Sequence, residues 1–335
     1  MHGRHPHIIA LLVAVPALLL TAGCGSDGTD AAGGGGPTVV VTTSILGDVV
    51  ANVVGDEAVV DVLMPAGVDP HEFELSAAQA AALQEADVVV ANGLGFEAGM
   101  ADALDAAEQS GVPVLEVAPG LDPLPLAEGA HDHAHDEDGH DEDEHADEDG
   151  HADEEGLDPH VFTDPARMAD GVDQLAGALG DAVPALDTAV VADQAAAYAD
   201  DLRATDAAIE EELADVPADR RVLVTNHEVF GYFADRYGFE VVGTVIPSGT
   251  TLAEPSSQEL SELAGVIDEH DVPAIFADAS SPADLADALA DESGLDVEVV
   301  PLFTESLGEP GSGGETYLEM LRTNATAIAD ALSPS

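Results

Sequence analysis

The chain has 335 residues, of which 68 are Asp or Glu and 7 are Arg with no Lys, giving a formal net charge of −61. That length exceeds one ordinary hydrophobic core and fits two domains of about 130 residues each, and the charge makes nucleic acid and anionic lipid surfaces poor partners. Cys24 is the lone cysteine, so no intramolecular disulfide can form.

Residues 1–23 read as a signal peptide. Arg4 with His2, His5 and His7 form a weakly basic start, and Ile8 to Leu20 form an apolar stretch too short to span a bilayer as a helix. The stretch closes on Leu20-Thr21-Ala22-Gly23-Cys24, which resembles the bacterial lipobox, whose cysteine takes a diacylglycerol, although Thr21 stands where Leu is usual. Cys24 is therefore the expected lipidation site and anchor to the membrane. Residues 24–37, rich in Gly, Ser, Thr and Asp, bury too little apolar surface to fold, and are expected to form a flexible tether reaching about 20 Å.

From residue 38 to 180, short β-branched runs alternate with alanine-rich helical stretches. Strands are predicted at Val39 to Thr43, Val59 to Leu63, Val88 to Ala91 and Val112 to Leu115, with helices around Leu46 to Val54, Ser76 to Ala86 and Phe96 to Gln109. Ser76 with Gln79 has the spacing of a capping box. Such alternation predicts an α/β lobe: a small parallel sheet flanked by helices. Residues 130–155 interrupt it with no hydrophobic run, and His131, His133, His135, His140, His145 and His151 alternate there with acids. This segment is expected to be a disordered loop, and either an auxiliary low-affinity metal collector or an acidic insert that a surface loop tolerates.

Residues 181–216 predict one long rigid helix joining two lobes: Pro184 to Asp215 holds no glycine, and Val190, Ala197, Leu202, Ile209 and Leu213 recur near helical period. Residues 217–335 repeat the first plan as a second α/β lobe. Its strands are predicted at Arg221 to Thr225, Val241 to Val245, Ala274 to Ala277 and Val297 to Val300, and its helices over Val229 to Tyr237, Ser256 to Glu269, Pro282 to Glu292 and Gly314 to Leu332.

Three histidines outside the acidic loop lie in short motifs at predicted strand ends or helix starts. His71 is in Asp69-Pro70-His71-Glu72-Phe73, His160 in Asp158-Pro159-His160-Val161-Phe162, and His227 in Asn226-His227-Glu228-Val229-Phe230. Proline fixes φ and removes a donor, so a repeated Asp-Pro-His makes a rigid turn that presents imidazole at one angle. The spacing is not that of a zinc finger, so these residues can form a site only by converging in space.

In this order, the two Asp-Pro-His motifs, Asn-His-Glu-Val-Phe-Gly-Tyr-Phe, Ile-Phe-Ala-Asp and Thr-Tyr-Leu-Glu-Met-Leu-Arg-Thr-Asn-Ala resemble the solute-binding proteins of zinc/manganese ABC transporters, the cluster A-I or cluster 9 family, over about Val39 to Leu332. The resemblance implies two lobes joined by a long helix with one metal in the cleft. It carries His71 and His160 onto the first two ligands and His227 onto a third, which is His in zinc-type members and commonly Glu in manganese-type ones. Glu305 falls where the family usually has a ligating Asp; Asp278 is the alternative, and Glu72 and Glu228 neighbour ligand histidines. Three imidazoles and one carboxylate suit Zn(II), carried as transported ligand, better than Mn(II), which prefers oxygen.

The expected partners are an ABC permease with its cytoplasmic ATPase, and the expected form is a monomer anchored at the extracytoplasmic face of the cell membrane. A manganese- or iron-type member and a metal-binding adhesin are the alternatives. No His-Glu-x-x-His, Gly-x-Ser-x-Gly or Walker loop appears, so binding without catalysis is expected.

Overall fold

The structure is a computed structural model that describes residues 36–126, 156–253, 255–280, 284–293 and 297–334. Residues 1–23, read above as a signal peptide, Cys24 and the six histidines from His131 to His151 lie outside the described residues.

Each half of the chain builds one parallel four-stranded sheet. In the first, β1 (Thr38–Val41), β2 (Val59–Val62), β3 (Val88–Ala91) and β4 (Val114–Glu116) stand in the order β2-β1-β3-β4. In the second, β5 (Val222–Thr225), β6 (Glu240–Thr244), β7 (Ala274–Asp278) and β8 (Glu298–Leu302) stand in the same relative order, β6-β5-β7-β8. Helices α1 (Ser44–Val54), α2 (Ala77–Glu85) and α3 (Ala101–Gln109) belong to the first lobe. Helices α6 (Gly231–Tyr237), α7 (Ser257–Glu269), α8 (Asp284–Ser293) and α9 (Tyr317–Leu332) belong to the second.

The central strands are apolar on both faces because both faces are covered. Val39, Val41, Val88 and Val90 point into the large core shared with the inter-lobe helices, while Val40 and Val89 point to a smaller core under α2 and α3. The second lobe repeats the alternation: Leu223 and Phe276 face the large core, Val224 and Ile275 a separate one under α7 and α8. The predicted capping box is present, with Ser76 and Gln79 bonding each other's backbone N–H groups.

One long helix joins the lobes, as expected, and a second packs along it. The sequence reading has no counterpart to α4 (Pro165–Ala182), whose Gly171, Gly177 and Gly180 weaken its helical signal. Its start is specified locally: Asp164 accepts from the backbone N–H groups of Ala166 and Arg167, and Pro165 occupies the first turn, where its missing N–H costs nothing. The long helix α5 covers Ala189–Leu213 rather than 181–216. Val183 before Pro184 is extended, as the proline ring demands, and the helix begins only at the Thr188 cap, whose side chain accepts from Val191 N–H. The buried stripe on α5 begins at Val191, not Val190, and continues through Ala195, Tyr198, Leu202, Ile209 and Leu213. At 1.5 Å per residue α5 extends about 37 Å, along α4 and between α1 of the first lobe and α9 of the second.

Candidate metal centre

In parallel α/β sheets the crevice outside the carboxyl ends of the strands is where loops can present side chains to a ligand. His71 follows β2, His160 lies between β4 and α4, His227 follows β5 and Glu305 follows β8. One ligand atom from each of these four residues lies within 4.8 Å of the other three. His71 Nε2 is 2.7 Å, His160 Nε2 3.1 Å and His227 Nε2 3.2 Å from a single atom, Glu305 Oε1. Zinc bonds of about 2.0–2.2 Å place tetrahedral neighbours about 3.3–3.6 Å apart, so the His71 contact would widen by about 0.6–0.9 Å and the other two by less to admit an ion.

The two Asp-Pro-His motifs form the same turn and then diverge. In each, the aspartate accepts from the histidine's own backbone N–H, at 2.8 Å for Asp69 and His71 and 2.9 Å for Asp158 and His160. Asp158 also lies 2.7 Å from His160 Nδ1, which commits that nitrogen as donor and makes Nε2 the atom that a metal would take once it is deprotonated. Asp69 makes no such ring contact; its other oxygen accepts from Thr251 across the cleft at 2.8 Å.

Around His227, Thr225 donates its hydroxyl to the His227 carbonyl, and Glu228 N–H bonds Ser248 O. Glu305 is held through its neighbours: Asn324 of α9 grips both the N–H and the carbonyl of Phe303, and the Thr304 hydroxyl bonds Asp278. Asp278, the alternative ligand, is thus occupied with Ser280 and Thr304 and lies outside the group of four. Glu72 is exposed and Glu228 also stands outside it.

The site is buried and unevenly satisfied. His160, His227 and Glu305 are buried, and His71 alone is partly accessible. Both ring nitrogens of His227 and Glu305 Oε2 have no hydrogen-bond partner; His227 Nε2 is near Oε1 but misaligned for a hydrogen bond. Buried polar atoms left this way are costly, and a cation at the centre would satisfy them. Burial by itself lowers the His160 pKa, but Asp158 and Glu305 outweigh it and push the imidazole up to about 9. Burial would raise Glu305, yet the nearby His227 imidazole and the bonds from His160 and His71 hold it well below the usual carboxylate range.

A turn forms the wall where the sequence reading began a helix at Phe96; α3 starts only at Ala101. Asn92-Gly93-Leu94-Gly95-Phe96-Glu97 follows β3, and Gly93, Leu94 and Gly95 have φ of 84°, 55° and 76°. For Leu94 this conformation costs about 1–2 kcal/mol. It aims Phe96 at the rings of His71 and His160, 5.5 and 5.8 Å between centroids. Asn92 donates to Pro159 O, and the buried Glu97 carboxylate accepts from Thr42, Asn92 and Gly93, so one network joins β1, β3 and the His160 turn. The signal was available in the sequence: two glycines one residue apart directly after a strand.

Comparison with known proteins gives a consistent picture. The sequence profile for "Zinc-uptake complex component A periplasmic" matches residues 39–331. The manganese-binding lipoprotein MntA of Halalkalibacterium halodurans is 30% identical over 316 residues, 94% of this chain and 95% of MntA. The zinc-binding protein TroA of Treponema pallidum is 31% identical over 310 residues, 91% of each chain. The solved TroA structure superposes with a TM-score of 0.75 at 29% identity, covering 90% of this chain and all of TroA. A manganese-bound periplasmic metal-binding protein of Candidatus Liberibacter asiaticus shares the fold, with a TM-score of 0.72 at 22% identity over 88% of this chain and 99% of that one.

Proposed function

The chain belongs to the family of periplasmic zinc-uptake component A proteins, metal-binding components of uptake systems, and from that premise we propose that it captures Zn(II) between its lobes and delivers it to an ABC importer. His71, His160, His227 and Glu305 are the proposed ligands. The observation that carries the reading is the convergence of three imidazole nitrogens on one buried carboxylate oxygen, with His227 and Glu305 left holding unpartnered polar atoms. Three nitrogens and one oxygen favour zinc, while Mn(II) prefers more oxygen and binds weakest among the divalent series. The relatives TroA, named for zinc, and MntA, named a lipoprotein, add support for metal capture at a lipid-anchored protein.

In this reading Cys24 carries the lipid, the protein works as a monomer on the extracytoplasmic face, and the permease with its ATPase takes the ion. Residues 1–23 are removed, 24–37 form the tether, and 38–180 and 217–335 act as lobes about the inter-lobe helix. The histidines from His131 to His151 serve as a weak collector. The protein binds and releases its cargo without chemical turnover. A manganese reading has its own support in the MntA relatives and in Glu305, whose second oxygen would enlarge the coordination shell.

Calorimetric titration with zinc, then manganese, into the chain with and without residues 130–155 tests the proposal. One tight zinc per chain, retained after loop deletion and resistant to manganese, is expected. Preferential manganese binding would replace zinc as the cargo, and loss of tight binding on loop deletion would remove the site from the cleft.

A further inference from the structure

His71 lies in an irregular stretch between β2 and α2, from Leu63 to Ser76, with no helix or strand of its own. Two backbone or side-chain groups on that stretch bond to the opposite lobe. Gly67 N–H is shared between Ser306 Oγ and Leu307 O, each at 2.9 Å, and Asp69 Oδ2 accepts from the Thr251 hydroxyl at 2.8 Å. Since Asp69 Oδ1 holds the His71 backbone, the carboxylate links Thr251 directly to the turn that aims the imidazole.

Thr251 ends a short loop after β6 that also braces the ligand histidine of its own lobe. Ser248 O accepts from Glu228 N–H at 3.0 Å, and Ile246 N–H donates to Asn226 O at 2.8 Å, so the loop clasps the His227 turn from both sides. Its position is fixed by contact with the first lobe: a Cβ on Gly249 would come within 2.8 Å of Leu126 Cδ2. One loop therefore touches the turns of two histidines from opposite lobes, and one of those histidines is the accessible member of the four.

We infer that the loop from Ile246 to Thr251 is an inter-lobe latch, and that Thr251, acting through Asp69, is a positioning residue that slows metal release by keeping His71 in place. This rests on the reading of the four residues as a metal site. Opening the cleft must break the Thr251–Asp69 bond, and the His71 turn, which lacks regular secondary structure, then loses one of its ties to the second lobe. A metal ion held by His71 reports the state of the latch through its dissociation rate, while capture, limited by encounter, is little affected.

The test uses the full-length protein in detergent, loaded with less than one equivalent of zinc so that the tightest site fills first, and mixed rapidly with excess chelator. Thr251→Val, which keeps the shape and removes the hydroxyl, should release zinc about five- to tenfold faster than wild type, the effect of one net hydrogen bond. Thr251→Ser should release at the wild-type rate, a rescue that a purely steric role of Thr251 would not give. A Thr251→Val rate equal to wild type, or a Thr251→Ser rate as fast as Thr251→Val, overturns the latch. Failure of the underlying reading looks different: wild type would then release zinc no more slowly than His227→Ala.

Discussion

The carboxylate of Glu305 stands at the focus of the three imidazoles, although it is the residue that departs from the family's aspartate. The chain leading into it is held by Asn324, which grips the Phe303 backbone, and by Asp278, which accepts from the Thr304 hydroxyl. Glu305→Ala is therefore expected to weaken zinc as much as His227→Ala does, and more than Asp158→Asn, for which an indirect loss of about 10–100-fold is expected. A chelator competition titration ranks the three; a smaller loss for Glu305→Ala than for Asp158→Asn would remove the carboxylate from the ligand set.

The charge state of His160 supplies a pH test. Its folded, metal-free pKa of about 9 lies above the unfolded value near 6.5, so its stabilising contribution is complete below about pH 6.5 and disappears as pH rises through about 9. Glu305 works in the opposite sense, its contribution being lost only in acid. The melting temperature of metal-free protein should fall between pH 6.5 and 9, and Asp158→Asn should flatten that fall. Because zinc needs a deprotonated Nε2, binding at pH 8 should release about one proton, measured by calorimetry in buffers of different ionisation enthalpy. No release at pH 8 would contradict an imidazolium at this position.

At the scale of elements, the segment between β3 and α3 concentrates local strain, with three successive residues at positive φ. Gly93 has φ of 84°, and a Cβ there would come within 2.9 Å of Glu116 Cβ and 3.0 Å of Pro119 Cδ. Gly93→Ala thus combines a disfavoured dihedral with a steric conflict and is expected to cost about 1–3 kcal/mol in urea unfolding. The same change should weaken zinc, since Phe96 and the Asn92 bond to Pro159 both depend on this turn. An Ala variant of wild-type stability would show that the turn relaxes freely. The α4 and α5 pair illustrates a second element-scale rule, in which one X-Pro step, Val183-Pro184, ends the first helix and the Thr188 cap starts the second.

At the scale of the molecule, the lobes are not two beads on a string. A single apolar cluster runs from Val39 and Ile45 of the first lobe through Leu202 and Ile209 of α5 to Phe276 and Ile328 of the second. Polar contacts follow the same route: Asp48 of α1 accepts from Tyr198 of α5 and from the N–H of Tyr317 at the start of α9, and Asp206 of α5 pairs with Arg236 and Tyr237 of α6. Packing of this density resists continuous bending, so metal binding should change the radius of gyration in solution scattering by no more than about 1 Å, with movement confined to cleft loops. A change of several ångströms would mean that the lobes swing. The −61 formal charge adds a second global effect. Self-repulsion opposes the compact state and is screened by salt, so the melting temperature should rise by several degrees between 10 mM and 1 M sodium chloride; a flat response would show that self-repulsion does not limit stability.

The sequence by itself determined the period and the punctuation: two sets of β-branched strands at alternating spacing, the Ser76 capping box, and the two Asp-Pro-His turns, all of which depend on residues within a few positions of one another. It also marked His71, His160, His227 and Glu305, through motif order rather than through any local geometry. Only the tertiary structure decided that these four meet, because they are separated by 67 to 234 positions and are brought together by strand order in two sheets and by the packing of α5. The same is true of Asp278, which sequence left open as a ligand and which long-range bonding assigns to Thr304, and of Thr251, whose partner Asp69 is 182 residues away. Short-range rules follow from the dihedrals and hydrogen bonds of neighbouring residues, whereas convergence depends on how whole elements bury their apolar faces, and no window of sequence contains that information.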